Sequence, residues 1–293
     1  MTPAYPASVP GIFDLRLPER LAAPLVLDSP HSGTIYPPDF APVQPASRYR
    51  RAEDAFVDDL FGAAPALGLP LLACRFARIY CDVNRGADDL SPEAVAGDPG
   101  FTLTPTAKAM LGKGVIWTAT PPDGAPLYAD RLAAPDVAHR IDTCWRPYHD
   151  ALAGLCDAVH AEAGVLYHLD LHSMQATANP MHEDALGSVR PDIVVSDRDG
   201  TTADPAFTEA ARAALADLGF EVCLNDPYKG AEIVRVCGRP AEGRHSIQIE
   251  VNRRLYMDEE TLEKTAEYAE TKARLTLFLE RMRDWLPHSR EEC

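Results

Sequence analysis

The chain has 293 residues, 46% of them hydrophobic and 25% charged, an ordinary globular composition with enough apolar material for a sizeable core. Its 44 acidic against 28 basic side chains leave a formal charge of -16, which repels phosphate backbones and anionic lipid at long range. Nucleic acid is therefore not an expected partner, and a small anionic ligand would need locally placed arginines.

No stretch approaches the ~20 apolar residues of a membrane span, and the N-terminus lacks a basic segment followed by an apolar block. The seven cysteines are odd in number and scattered, without the paired spacing of a zinc knuckle or redox motif. They read as reduced core residues, so a cytoplasmic protein without membrane contact is expected. Neither an internal repeat nor a low-complexity linker is present, which points to one α/β domain over residues 1–293.

Taken in order, PLVLDS at 24–29 is a short apolar run ending in turn residues, predicting a buried strand that delivers His31. Val57, Leu60, Phe61 and Ala64 recur at helical steps, predicting a helix from Asp54 to Leu67 stopped by Gly68 and Pro70. LPLLACRFARIYCDVN predicts one or two strands ending at Asn84. Residues 86–127, rich in Gly, Pro and Thr, read as a long irregular segment of the kind used for binding loops or lids. Val137 to Val159 keep helical spacing, with Pro147 expected to kink or divide the helix and Gly164 to end it. Val165 onward, VLYHLDLH, predicts a strand; Pro205 to Leu218 a helix; HSIQIEV at 245–251 a strand; and residues 259–285 a last helix. Strands alternating with helices at this spacing indicate a mixed, mainly parallel central sheet with helices on both faces, in which ligands bind beyond the carboxyl ends of the strands.

His31, Asn84, His172 and Glu250 each fall at or near a predicted strand end, so four polar groups should converge on one edge. Two imidazoles and one carboxylate suffice to hold zinc while leaving a position open for water. Asp170 lies two residues before His172 on the same strand face, placed to accept from the far nitrogen of a ligand histidine. For the acid, Glu53, Asp54, Asp58 and Asp59 crowd one helix start, where acids also suit the helix dipole, and spacing does not choose among them. Glu250 interrupts the alternation of SIQIEVN; pointing outward it is a surface residue, pointing into the cleft it is a general base for an attacking water. Arg78, Arg85, Arg235, Arg239, Arg253 and Arg254, with Asn84, supply donors for a carboxylate substrate, although Arg253 and Arg254 read equally well as solvated surface.

These stretches together, PHSG at 30–33, EDAFVDDL at 53–60, RIYCDVNR at 78–85, LDLHS at 169–173, PYKGAEIVRVCGRP at 227–240 and HSIQIEVNRRLYMDE at 245–259, resemble the N-formylglutamate amidohydrolase family over nearly the whole chain. That family is similar to the zinc carboxypeptidase and aspartoacylase group, which implies a zinc-carboxypeptidase-like (phosphorylase/hydrolase-like) architecture. The resemblance implies one Zn2+ per chain, His31 and His172 as ligands, Asn84 and Arg85 as carboxylate grip, and Glu250 as base. Arg78 or Arg235 is expected to help stabilise the oxyanion formed when water attacks. The carboxypeptidase group places its acidic ligand three residues after the first His, where this chain has Thr34; Asp54, matching an Asp of the deformylase pattern, is the choice over Glu53. The implied reaction is hydrolysis of N-formyl-L-glutamate to formate and L-glutamate, a closing step of histidine breakdown. A hydrolase of another N-acyl amino acid or small peptide would share these motifs, and a non-catalytic protein gripping an acidic amino acid would not need Glu250.

Overall fold

Short runs of buried apolar residues bounded by turns build the centre of the protein, whose computed structural model describes residues 5–286. The strands in chain order are β1 (Phe13–Arg16), β2 (Leu25–Ser29), β3 (Leu71–Cys74), the two-residue β4 (Val95–Ala96), β5 (Ala119–Thr120), β6 (Ala125–Pro126) and β7 (Leu132–Ala133), then β8 (Leu166–Met174), β9 (Ile193–Ser196), β10 (Val222–Leu224) and β11 (Arg244–Asn252). The helices are α1 (Ala46–Tyr49), α2 (Val57–Leu60), α3 (Ala107–Met110), α4 (Ala134–Arg140), α5 (Arg146–Ala163), α6 (Pro205–Ala216), α7 (Glu232–Cys237) and α8 (Tyr268–Trp285).

Seven strands form one sheet in the order β1-β3-β2-β8-β11-β9-β10. Four of its pairings are parallel; β1 with β3 and β11 with β9 are antiparallel. The expected mixed, mainly parallel sheet is therefore present. One face carries Leu25, Leu27, Leu169, Leu171, Ile247, Ile249 and Val251 against Phe207, Leu215, Phe278 and Leu279 of α6 and α8. Across the other face lies α5, with Tyr148, Leu152, Leu155 and Val159 buried beside Val26 and Leu166. Because side chains alternate, the α5 face also receives Asp28, His168, Asp170, His172, Gln248 and Glu250, and the register sets Asp28 opposite Asp170 and Glu250 opposite His172.

Three predicted elements differ. The helix expected at 54–67 is a single turn at α2 followed by turns and a 3-10 segment at Pro65–Leu67. Its spaced apolar residues are buried, but Phe56 has a left-handed φ of 67° and Pro65 has no N–H to continue the ladder, so the chain bends around Asp54 rather than coiling through it. Asn84 is not at a strand end: β3 stops at Cys74, and residues after it turn back under the cleft. The last helix starts at Tyr268 rather than 259, since the Asp258 carboxylate accepts from the amides of Glu260 and Thr261 at 2.8 Å and holds a turn there.

Elsewhere the pattern holds with refinements. Pro147 neither breaks nor divides its helix, because a wider π turn at Ile141–Trp145 precedes α5 and absorbs the missing donor. Gly164, at φ 79°, ends α5 as expected. Residues 86–127 are largely irregular, with Lys108, Lys113, Trp117 and Pro121 facing the cleft. Six cysteines are unpaired and Cys293 lies outside the described residues. Among the described residues no helix is long and apolar enough to cross a membrane.

Phe278 is fully buried where α8 seals the apolar face. Phe278→Ala is expected to cost about 3–5 kcal/mol, read as a lowered urea midpoint; a loss below ~1 kcal/mol would contradict that packing.

Candidate metal centre

β2 ends at Ser29 and the turn after it carries His31 inward. Gly33 is required there, since a Cβ would meet the Phe76 carbonyl oxygen at 2.2 Å. The same turn fixes the next segment: Asp54 N donates to the His31 carbonyl at 3.0 Å, and the Ser32 hydroxyl donates to the Asp54 carbonyl at 3.2 Å. His172 projects from β8 towards the same point.

Three ligand atoms meet. His31 Nδ1 and His172 Nδ1 are 3.0 Å apart, and Asp54 Oδ2 lies 3.3 Å from the first and 3.1 Å from the second. All three residues are buried, at 0%, 2% and 1% exposure for His31, His172 and Asp54. The far nitrogens face carboxylates: His31 Nε2 is 2.7 Å from Asp82 Oδ1, and His172 Nε2 is 2.7 Å from Asp170 Oδ1. With each Nε2 carrying its proton towards that carboxylate, both Nδ1 lone pairs and Oδ2 confront one another, a repulsive arrangement that a shared cation resolves. Atoms about 2.0–2.2 Å from a tetrahedral zinc would be separated by about 3.3–3.5 Å, close to the spacing here, so the residues fit a metal ion.

The charges around the cluster are divided by atom. Asp54 Oδ1 accepts from Arg253 at 3.0 Å and Arg78 at 3.4 Å, leaving Oδ2 to the histidines. Burial works to raise the Asp54 carboxyl, yet Arg78 and the two histidines hold it well below the ordinary value. Burial likewise works to lower His172, but Asp170, Asp54 and Glu250 raise it well above 6.5, the mark of a point that draws positive charge. The other acids are committed elsewhere: Glu53 accepts from Tyr36 and Arg50, Asp58 pairs with Arg16, and Asp59 with Lys264 and Lys272.

Glu250 stands beside His172 in the β11–β8 register, inside the cleft rather than on the surface, and accepts from Gln248 Nε2 at 2.9 Å. Burial pushes its carboxyl up to about 7, His172 opposing and Asp54 adding to the rise. Arg78 is 3.0 Å from Asp82 and lines the cleft. Arg85 also lines it, held by the carbonyls of Lys113 at 3.0 Å and Asn84 at 2.7 Å. Asn84 is more tightly engaged than a carboxylate grip requires: Nδ2 donates to Asp170 Oδ2 at 3.4 Å and Oδ1 accepts from Ile233 N at 2.9 Å.

Arg235 is not brought to the cluster; it pairs with Glu232 at 2.6 Å and lines an adjoining recess. Arg253, equally readable as surface, is buried and binds the Glu53 carbonyl, Asp54 and Ser173, whereas Arg254 pairs with Asp192 at the periphery. Asp82 and Trp117, whose Nε1 donates to Asp82 Oδ2 at 3.0 Å, were not anticipated; the signal available for Asp82 was an acid interrupting an otherwise apolar IYCDV run.

Lining the cleft are Arg51, Arg78, Arg85, Lys108, Lys113 and Arg253 against the acids Asp54, Glu183 and Glu250, so a strongly acidic chain concentrates positive charge at this place.

Replacing Asp82 or Asp170 by Asn should lower metal affinity by about 10–100-fold in competition with a chelator, while Asp58→Asn leaves it unchanged. Unaltered affinity in both of the first two variants would remove the carboxylates from the centre.

The sequence profile described as N-formylglutamate amidohydrolase matches residues 23–257. The crystal structure of an N-formylglutamate amidohydrolase from Ralstonia eutropha superposes with a TM-score of 0.89 at 40% identity, covering 94% of this chain and 98% of that one. An N-formylglutamate deformylase of Pseudomonas aeruginosa is 28% identical over 91% of this chain and 95% of its own length. A gene product of Agrobacterium tumefaciens shares the fold, with a TM-score of 0.62 at 15% identity over 89% of this chain and 91% of that one. With 23–257 matched, the chain belongs to the N-formylglutamate amidohydrolase family.

Proposed function

We propose that this protein hydrolyses the amide of N-formyl-L-glutamate to formate and L-glutamate, as a closing step of histidine breakdown, with zinc held by His31, Asp54 and His172. The observation that carries this reading is the convergence of Nδ1, Nδ1 and Oδ2 within 3.3 Å beside a buried Glu250, in a cationic cleft of a chain from this family.

Zinc, when bound, polarises the formyl carbonyl and lowers the pKa of water towards ~7. Glu250 takes the proton of the attacking water as the new C–O bond forms, and then delivers it to the amine nitrogen, so that the C–N bond breaks and the amine departs neutral. Arg78, at the cleft wall, offers charge to the oxygen on which negative charge develops. A substrate carboxylate is held by Arg85, whose guanidinium is fixed by two backbone carbonyls and so needs little ordering on binding.

Glu250→Gln should keep the metal and lower turnover by about 10²–10⁴-fold. A variant turning over near the wild-type rate would exclude Glu250 as the base. Glu250 works deprotonated, so kcat/KM should rise with pH; since burial, opposed by His172 and Arg78 and reinforced by Asp54, puts its pKa at about 7 and a bound cation lowers it, the rising limb belongs at pH 7 or below. A limb well above 7 would point to another base. Formyl, acetyl and succinyl glutamate assayed side by side test the acyl group, with formyl expected to be fastest; preference for a longer acyl group would replace the proposed substrate.

A further inference from the structure

The cleft does not end at the metal centre. Past Arg85 it continues into a second recess with Thr106, Lys108 and Arg235 in its walls, and Arg85 and Lys108 face both spaces. Lys108 sits in α3, whose position is set by Thr106: its amide and hydroxyl donate to the Asp89 carboxylate at 2.7 and 3.0 Å, and its Oγ1 caps Ala109 N. The helix is thereby tied to the segment that carries Arg85.

Lys108 differs from the other lysines of this chain. Lys229 pairs with Asp199, Lys264 and Lys272 pair with Asp59, and Lys113 donates to the Met181 carbonyl. Among the described residues the Lys108 ammonium has no hydrogen bond and no ion pair; its neighbour is the Tyr228 ring, 5.7 Å from nitrogen to centroid. The Tyr228 hydroxyl is also without a hydrogen-bond partner among them, and Tyr228 lines the cleft. Of the acids that face Lys108, Glu183 and Glu250, neither forms an ion pair with it, while Arg85 and Arg78 add like charge. Its pKa is pushed down to about 8, chiefly by burial and then by Arg85. Enclosing an ammonium without a counter-ion costs free energy, and a bound anion removes that cost.

We infer that Lys108, which lies over the Tyr228 ring, receives the second carboxylate of a dicarboxylic substrate while Arg85 holds the first, and so selects an acidic over a neutral amino-acid side chain. This rests on reading the cleft as the substrate site and names the residue behind its choice of side chain.

Calorimetric binding of L-glutamate and L-glutamine to the metal-loaded protein tests it without catalysis. The wild type should prefer glutamate by about 10-fold or more, the value of one charge-assisted contact. In Lys108→Met that preference should collapse, and in Lys108→Arg it should persist. Equal loss of both ligands in Lys108→Met, an unchanged preference in that variant, or no preference in the wild type would each overturn the assignment. Failure of the wild type to hydrolyse N-formyl amino acids would instead count against the proposed reaction, since the glutamate preference is measured independently of turnover.

Discussion

Two imidazole nitrogens and a carboxylate oxygen, all buried and 3.0–3.3 Å apart, form the contact on which the rest of the structure depends. Left without positive charge between them, three electron-rich atoms at this distance would push the His31 turn, the Asp54 bend and β8 apart. Each of the three is held from behind instead. Asp82 and Asp170 fix the far nitrogens of the histidines, and Arg78 and Arg253 occupy the other oxygen of Asp54. The cluster is thus braced to face a cation, and its orientation does not depend on the cation to set it.

The sheet explains why these groups meet. Parallel pairing of β8 with β11 puts His172 beside Glu250, and pairing of β8 with β2 aligns the turn that bears His31 with the same edge. Segments without regular structure supply Asp54, Asp82 and Arg85, and backbone contacts fix them: Asp54 to His31, Asp82 N to the Val115 carbonyl at 2.7 Å, Arg85 to Lys113. The long connection after Arg85 therefore forms a wall of the cleft. Its Lys108 and Lys113, with Arg51, Arg78, Arg85 and Arg253, reverse locally the charge of an acidic chain.

How much of this could be read in the sequence follows from which forces placed each residue. His172 and Glu250 lie in strands whose apolar runs are dictated by burial, so their place near the sheet edge was legible, but the side to which Glu250 points was open in the sequence and is set by the β8–β11 register beside His172. The helix stop at Gly164 and the helix from Pro205 were legible from local signals. Asp54 was not separable from Glu53, Asp58 and Asp59 by pattern, because its position depends on a left-handed Phe56 and on the remote Arg253. The helix drawn through it followed a true apolar spacing; burial set that spacing, while Phe56 and Pro65 set the backbone. Arg253 reads as surface because nothing local reveals that its partners, Arg51, Glu53 and Asp54, lie some 200 positions earlier. Arg235 shows the reverse: the motif around it suggested the metal side of the cleft, but its helix pairs it with Glu232 in the wall of the adjoining recess.

The most direct test is X-ray absorption with anomalous diffraction on zinc-loaded protein. The account predicts one metal per chain, with a first shell of two imidazole nitrogens and a carboxylate oxygen, located between His31 Nδ1, His172 Nδ1 and Asp54 Oδ2. Zinc bound through Nε2, zinc held by other residues, or no stoichiometric zinc would contradict it.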